Sequence, residues 1–214
     1  MKILKTVKSF VKNKKFSNST KYWMDRYNNG GNSGKGSYDK FAEFKGNVIN
    51  KLIKEKNINS IIELGCGDGN QLKHFNITSY SGIDISKKII TDNKTKFKGK
   101  KDYDFILLDD FIKNPFKADA TMSLDVIYHL VEDDVFYNHM KLLFENALKY
   151  VIIYSSNKSI EPTQPHVRHR KFEDWITFNQ PGFTLERHIP NIFTPEKYPD
   201  SYSLADFYIY KKKI

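Results

Sequence analysis

Residues 61–72 read Ile-Ile-Glu-Leu-Gly-Cys-Gly-Asp-Gly-Asn-Gln-Leu. A short apolar run, Ser60 to Leu64, fits a buried strand, and three glycines then alternate at Gly65, Gly67 and Gly69. Glycine directly after a strand lets the main chain take angles closed to other residues and lets a ligand come close to the backbone. Glu63 lies inside the run, where an unpaired carboxylate is costly, so it calls for a cationic or hydrogen-bonding partner. The spacing is not the G-x-G-x-x-G of dinucleotide sites. By itself it also suits a plain Gly-rich turn between strand and helix.

Outward from this stretch, the chain alternates strand and helix. Residues 38–57 place Phe41, Phe44, Val48, Ile49, Leu52 and Ile53 at helical spacing with lysines opposite. Asn70 to Phe75 begins a further helix whose N-terminus faces the glycine loop. Residues 79–86 form a second strand ending at Asp84. That acid follows the loop at about the interval from which a carboxylate grips ribose hydroxyls. Residues 103–111 read as a third strand ending in Asp109 and Asp110. Asp110 is placed to accept from an adenine amine, with Phe111 packing on the ring; the plain alternative is two solvated loop acids. A fourth strand, Ala120 to Leu124, leads to Asp125, Tyr128 and His129. His129 is either a general base or a satisfied structural histidine. A helix over 134–148 and a fifth strand over 150–156 come next. Residues 183–189 and 205–210 supply two closing strands, antiparallel at one edge. Such alternation predicts an α/β domain with a mostly parallel sheet.

Two segments stand outside that pattern. Residues 165–170, Pro-His-Val-Arg-His-Arg, gather His166, Arg168, His169 and Arg170 beyond the fifth strand. A cation cluster on a loop suits phosphate or carboxylate. A metal site at His166 and His169 lacks accompanying cysteines or an H-E-x-x-H pattern, so none is expected. Residues 20–39 put Tyr22, Trp23, Arg26 and Tyr27 ahead of a Gly/Asn/Ser loop. They read as a lid over a ligand, with a mere linker as the alternative. Lys35 is followed by Gly36 and no strand precedes it, so this is not a P-loop.

Composition sets the outer limits. The chain has 214 residues, enough for one domain with a full core. Its one cysteine excludes an internal disulfide and suits a cytoplasmic location. No apolar run reaches membrane-span length, and lysines interrupt any signal-like region. A net charge of +10 favours anionic partners. Nucleic acid is not the expected one, because no finger spacing, Arg-rich tract or RNP-type motif accompanies the charge. Residues 1–16 alternate lysines with Ile3, Leu4, Val7, Phe10 and Val11 as a basic amphipathic helix. It would dock on the body of the protein, on a second subunit, or weakly on an anionic membrane surface. Oligomeric state is not readable.

Taken in order, Glu63-x-Gly65-x-Gly67-x-Gly69, Asp84, Asp110 and the 125–129 segment resemble a class I S-adenosylmethionine-dependent methyltransferase over residues of about 40–214, with 1–39 as an N-terminal helix and lid. The resemblance implies a Rossmann-like sheet of seven strands with a reversed last strand, and S-adenosyl-L-methionine across its carboxyl edge. It implies Gly65 and Gly67 against the methionine moiety, Asp84 on the ribose, and Asp110 and Phe111 at the adenine. Glu63, Cys66, Gly69, Ile85, Leu124 and Asp125 complete the implied cofactor set. No N-P-P-Y-type sequence occurs, which removes support for methylation of base amines or protein glutamine.

The flanks, Tyr22-Trp23-x-x-Arg26-Tyr27, the Ser123–Leu130 run and His166–Arg170, are similar to small bacterial methyltransferases of surface-polysaccharide pathways, among them the capsule O-methyl phosphoramidate enzymes of Campylobacter. The expectation is therefore O-methylation of a small anionic, phosphorylated acceptor. His129 would be the catalytic residue, and Tyr22, Trp23, Arg26, Tyr27, Tyr128, His166, Arg168 and Arg170 would hold the acceptor. Methylation of a sugar or another small molecule, and a non-catalytic nucleotide- or RNA-binding module, stand as alternatives.

Overall fold

The computed structural model describes residues 16–161 and 164–213. The amphipathic segment expected over 1–16 thus falls almost wholly outside the described residues. Seven strands form one sheet: β1 Ser60–Leu64, β2 Ser79–Asp84, β3 Tyr103–Leu107, β4 Ala118–Leu124, β5 Ala147–Ser155, β6 Phe183–Ile189 and β7 Asp206–Lys212. Their order is β3-β2-β1-β4-β5-β7-β6. β1 to β5 pair in parallel, while β7 runs antiparallel between β5 and β6. The order reverses at β1, with β2 on one side and β4 on the other. A crevice opens there at the carboxyl ends, the place where doubly wound sheets bind ligands.

The helices are α1 Ser19–Asn28, α2 Asp39–Lys56, α3 Lys87–Lys96, α4 Leu108–Lys113, α5 Asp133–Glu145 and α6 Phe172–Asn179. Two buried clusters fill the two faces of the sheet. One joins Ile49 and Leu52 of α2 to Ile61, Tyr80 and Phe207. The other joins Phe136, Met140 and Phe144 of α5 to Ile62, Ile83 and Ile153. Adjacent residues of one strand, Ile61 and Ile62, enter opposite clusters, as the period-2 geometry of a strand requires.

Local structure departs from the sequence expectation in three places. The third strand stops at Leu107, and residues 108–113 are helical. Asp109 and Asp110 occupy the first turn of that helix, where the N-terminal partial charge favours acids. The expected helix after the glycine loop is only a 3-10 turn, Gln71–His74. Tyr22, Trp23 and Tyr27 lie on a regular helix, α1, whose N-cap Asn18 accepts from the Lys21 N–H at 2.7 Å.

Candidate active site

β1 delivers the glycine loop directly onto the end of β2. The N–H groups of Gly65 and Cys66 both donate to the Ile83 carbonyl, at 2.8 and 3.0 Å. Gly65 and Gly67 have φ of +83° and +54°. A Cβ on Gly67 would lie 2.3 Å from Ser33 Oγ, so the close approach of the N-terminal segment requires glycine here. Asp84 lies at the end of β2, 7% exposed. Its carboxylate accepts from the Gly67 N–H at 3.0 Å and the Ser86 N–H at 2.9 Å. Burial raises its pKa to about 6 against the pull of those amides. The Ile85 amide also acts on this carboxylate, and with about four acceptor sites it keeps capacity for a hydroxyl donor from the crevice.

Glu63 is not a cavity group. It is fully buried one residue before the end of β1, accepting from Tyr80 Oη at 2.6 Å and Gln71 Nε2 at 2.8 Å. Burial raises its pKa to about 7. Its work is to tie the 3-10 turn and β2 to the base of the glycine loop.

A cavity of about 280 Å³ opens over these strand ends. Gly65, Cys66, Gly67, Asp84, Ile85, Leu124, Asp125 and His129 line it, as do Trp23 and Tyr27 of α1. Gly69 does not line it; a Cβ there would press on Asn93 and Phe97, behind the loop. Asp110 and Phe111 correct the expectation for the adenine end. Asp110 is exposed, 3.9 Å from Lys113, and Phe111 is 1% exposed within the core. The helical turn at 108 carries Asp110 to solvent and presents Leu108 and Ile112 to the cavity instead.

The N-terminal segment closes the cavity by specific bonds. Ser19 caps one side: its N–H donates to Glu132 Oε1 at 3.0 Å and its Oγ accepts from the Val131 N–H at 2.9 Å. On the other side, Ser33 and Asp68 exchange bonds: Ser33 N–H to Asp68 Oδ2 at 2.9 Å and Asp68 N–H to Ser33 Oγ at 2.8 Å. The hydroxyls of Tyr27 and Ser33 meet at 3.1 Å, and Tyr38 Oη donates to Asp68 Oδ2 at 2.8 Å. Arg26 is spent on this loop, with Nε donating to the Asn32 carbonyl at 2.6 Å.

Two rings of α1 meet two histidines, three of the four rings stacked and the fourth edge-on. Tyr22 lies 4.2 Å from His166 at 12°, His166 lies 5.6 Å from His129 at 10°, and Trp23 meets His129 edge-on at 4.9 Å. His129 Nδ1 is 3.1 Å from the His166 carbonyl, so it carries the proton and donates. Burial lowers the His129 pKa to about 4. Tyr128 faces Asp125, donating to Oδ1 at 2.8 Å.

The arginines do not converge on the cavity. Arg168 donates to the Val131 carbonyl at 2.9 Å and pairs with Asp133 at 3.0 Å. Arg170 donates to the carbonyls of Leu130 and Val131 and pairs with Asp133 at 2.9 Å. Both guanidiniums bind the 130–133 segment, whose Leu130 and Val131 carbonyls belong to no strand and accept from them instead. Sequence reasoning also missed Lys45, which is 0% exposed on α2 and reaches Asp125 Oδ2 at 2.6 Å. It was one lysine among many on that helix, with nothing in the pattern to single it out. His139 of α5, another lining residue, was hidden in the same way.

No protein-family model matches the sequence, and no curated protein matches it. Solved structures do. The N-methyltransferase NodS from Bradyrhizobium japonicum WM9, in complex with S-adenosyl-L-homocysteine, aligns with a TM-score of 0.69 at 11% identity, over 92% of this chain and 99% of that one. Magnesium protoporphyrin IX methyltransferase (ChlM) from Synechocystis PCC 6803, with bound S-adenosylmethionine, aligns at 0.63 and 16% identity, over 93% and 99%. The methyltransferase domain of bacterial CtHen1-C aligns at 0.60 and 18%, over 80% and 98%. The fold is thus the Rossmann-like α/β fold of methyltransferase structures, with its mostly parallel sheet and antiparallel closing strands.

Proposed function

We propose that this protein is an S-adenosylmethionine-dependent methyltransferase acting on an oxygen of a small acceptor enclosed beneath α1. One observation carries the reading: a glycine loop and a buried carboxylate, Asp84, share one cavity at the switch point of this sheet. The donor set fits the cofactor. Gly65 and Gly67 line the cavity with the positive φ that the tight loop requires, and Asp84 keeps acceptor capacity for ribose hydroxyls. When bound, S-adenosylmethionine supplies a methyl group already activated on sulfonium.

The protein then has to align the acceptor and exclude water. Trp23 and Tyr27 cover the cavity, and the Ser19 and Ser33 bonds hold them there. His129 has Nδ1 committed to a carbonyl, so Nε2 accepts a hydrogen bond from an acceptor hydroxyl. With a pKa of about 4 it is a poor proton sink at neutral pH, so its role is orientation. α1 and residues 28–37 act as the lid, opening for exchange of acceptor and product.

The narrower reading is an anionic, phosphorylated acceptor such as a phosphoramidate precursor of a capsule. It rests on the similarity of the flanking segments to capsule enzymes and on the net charge of +10. The engaged state of Arg168 and Arg170 gives it no added support.

Calorimetric titration with S-adenosylmethionine and S-adenosylhomocysteine tests the cofactor. Micromolar binding is expected, with at least a tenfold loss in Asp84→Ala; no binding at millimolar ligand overturns the reading. Product mass analysis over phosphorylated, sugar and nucleotide acceptors then names the substrate by the gain of one methyl group. Salt-dependent RNA binding without methyl transfer would favour the non-catalytic alternative.

A further inference from the structure

α5 presents two stripes. Phe136, Met140 and Leu143 pack into the core, while Val135, Asn138, His139 and Leu142 line the cavity at i, i+3, i+4 and i+7 spacing. Leu108 and Ile112, four apart on the short helix α4, line the same cavity. The result is an apolar slot between two helices, beside Ile85 at the end of β2. Asn138 is exposed, so the His139 imidazole is the polar group held inside the slot. An apolar slot with one directed polar group suits a flat heteroaromatic ring.

The hydrogen-bond pattern fixes which nitrogen is available. His139 Nε2 lies 2.8 Å from Ser123 Oγ, at the buried end of β4. Among the described residues that hydroxyl has no other acceptor, so Ser123 donates and Nε2 accepts. Nδ1 then carries the proton, and it has no hydrogen-bond partner among the described residues. Burial lowers the His139 pKa to about 4, which keeps the ring uncharged near neutral pH.

We propose that the α4–α5 slot takes the purine base of the cofactor and that His139 Nδ1–H donates to one ring nitrogen of that base, with Ser123 setting the tautomer. His139 then supplies the base recognition for which Asp110 is out of place. The inference rests on the cofactor reading above.

The test uses S-adenosylhomocysteine and its 1-deaza, 3-deaza and 7-deaza analogues, each lacking one ring nitrogen, titrated by calorimetry into the wild-type protein and His139→Phe. One analogue is expected to bind the wild type about tenfold more weakly than the parent, the scale of one hydrogen bond. His139→Phe should bind the parent about as weakly and no longer distinguish that analogue. Ser123→Ala, which frees the tautomer, should reduce the discrimination in part. If the wild type binds all four ligands alike, or if His139→Phe discriminates as the wild type does, the assignment to His139 is overturned. Failure of the parent ligand to bind the wild type would instead overturn the cofactor reading.

Discussion

Lys45 Nζ lies 2.6 Å from Asp125 Oδ2, and the lysine side chain is wholly buried. The pair joins α2 to the end of β4 at a strained point: Asp125 has a φ of +61° and lines the cavity. Tyr128 donates to its other oxygen, so both carboxylate oxygens of Asp125 are engaged within the protein. Removing one partner of a buried pair costs far more than replacing both, because a charge is left without compensation. Lys45→Met is expected to lose about 3 kcal/mol of stability in denaturant titration. Adding Asp125→Asn should return a good part of that loss. Equal losses from the single and double variants would show that the pair is not coupled.

Glu63 gives a stability prediction with a definite sign. Its folded pKa, about 7, exceeds the ordinary value of 4.5, so the folded state binds more protons between those limits. Stability therefore falls as pH rises through that window and stays lower above it. Asp84 adds the same slope, but only up to about pH 6. Over pH 6 to 7.5 the histidines held neutral in the fold, His129 and His139 among them, add the opposite slope, because the unfolded chain still protonates them there, so Glu63 is read from the difference between the wild type and a Glu63 variant. Glu63→Gln keeps the shape, and its amide can donate to Gln71 Oε1, which has no partner among the described residues. The stability of the variant minus that of the wild type should rise from pH 6 to 7.5 and reach about 2–3 kcal/mol at pH 8. Parallel curves for the two proteins would contradict this origin of the slope.

Much of the fold was legible because its signals are local. The strand at 60–64 is a short apolar run and the glycine spacing marks the tight loop after it, while the strand at 79–84 ends in an acid followed by a helix-capping Ser86. Asp84 was legible for the same reason, since its place depends only on the length of one loop and one strand. The third strand was overextended because Leu107, Leu108, Phe111 and Ile112 suit a strand or a helix equally; the two acids between them decide for a helix N-terminus. The site's other half was not legible. His139 lines the cavity, while Lys45 of α2 and Ser123 of β4 reach it only through the lining residues Asp125 and His139, and no local pattern separates the three from ordinary helix or strand residues. The arginines at 168 and 170 misled because a cation's partner, here the 130–133 loop, lies nearly 40 residues away.

That pairing predicts how the arginines respond to substitution. Arg170 is the more buried of the two, with two carbonyls and Asp133 as partners and Phe136 beneath it at 4.8 Å. Arg170→Ala is expected to lower stability by about 2 kcal/mol, since charge-assisted bonds to those carbonyls are broken. Arg168 is more exposed, and Arg168→Ala should change stability by less than about 0.5 kcal/mol. For a phosphorylated acceptor, Arg168→Ala should alter KM by no more than about threefold, because no cavity contact is lost. A loss of activity confined to phosphorylated acceptors would mean that the arginine leaves Asp133 to bind them.

His129 separates orientation from proton transfer. A base that limits the rate gives an acid limb at its own pKa, and a free histidine would place that limb near 6.5. Here burial among Trp23, Tyr128 and His166 holds the imidazole neutral down to about pH 4, against the opposing effect of its bond to the His166 carbonyl. Neutral Nε2 accepts from a hydroxyl at every pH in the working range. His129→Phe should therefore reduce kcat/KM for the acceptor by about tenfold, the value of one hydrogen bond, and leave the affinity for S-adenosylmethionine unchanged. The wild-type rate should show no inflection near pH 6.5 that the variant lacks. An inflection there, lost in His129→Phe together with a fall in kcat of a hundredfold or more, would assign the histidine to proton removal instead.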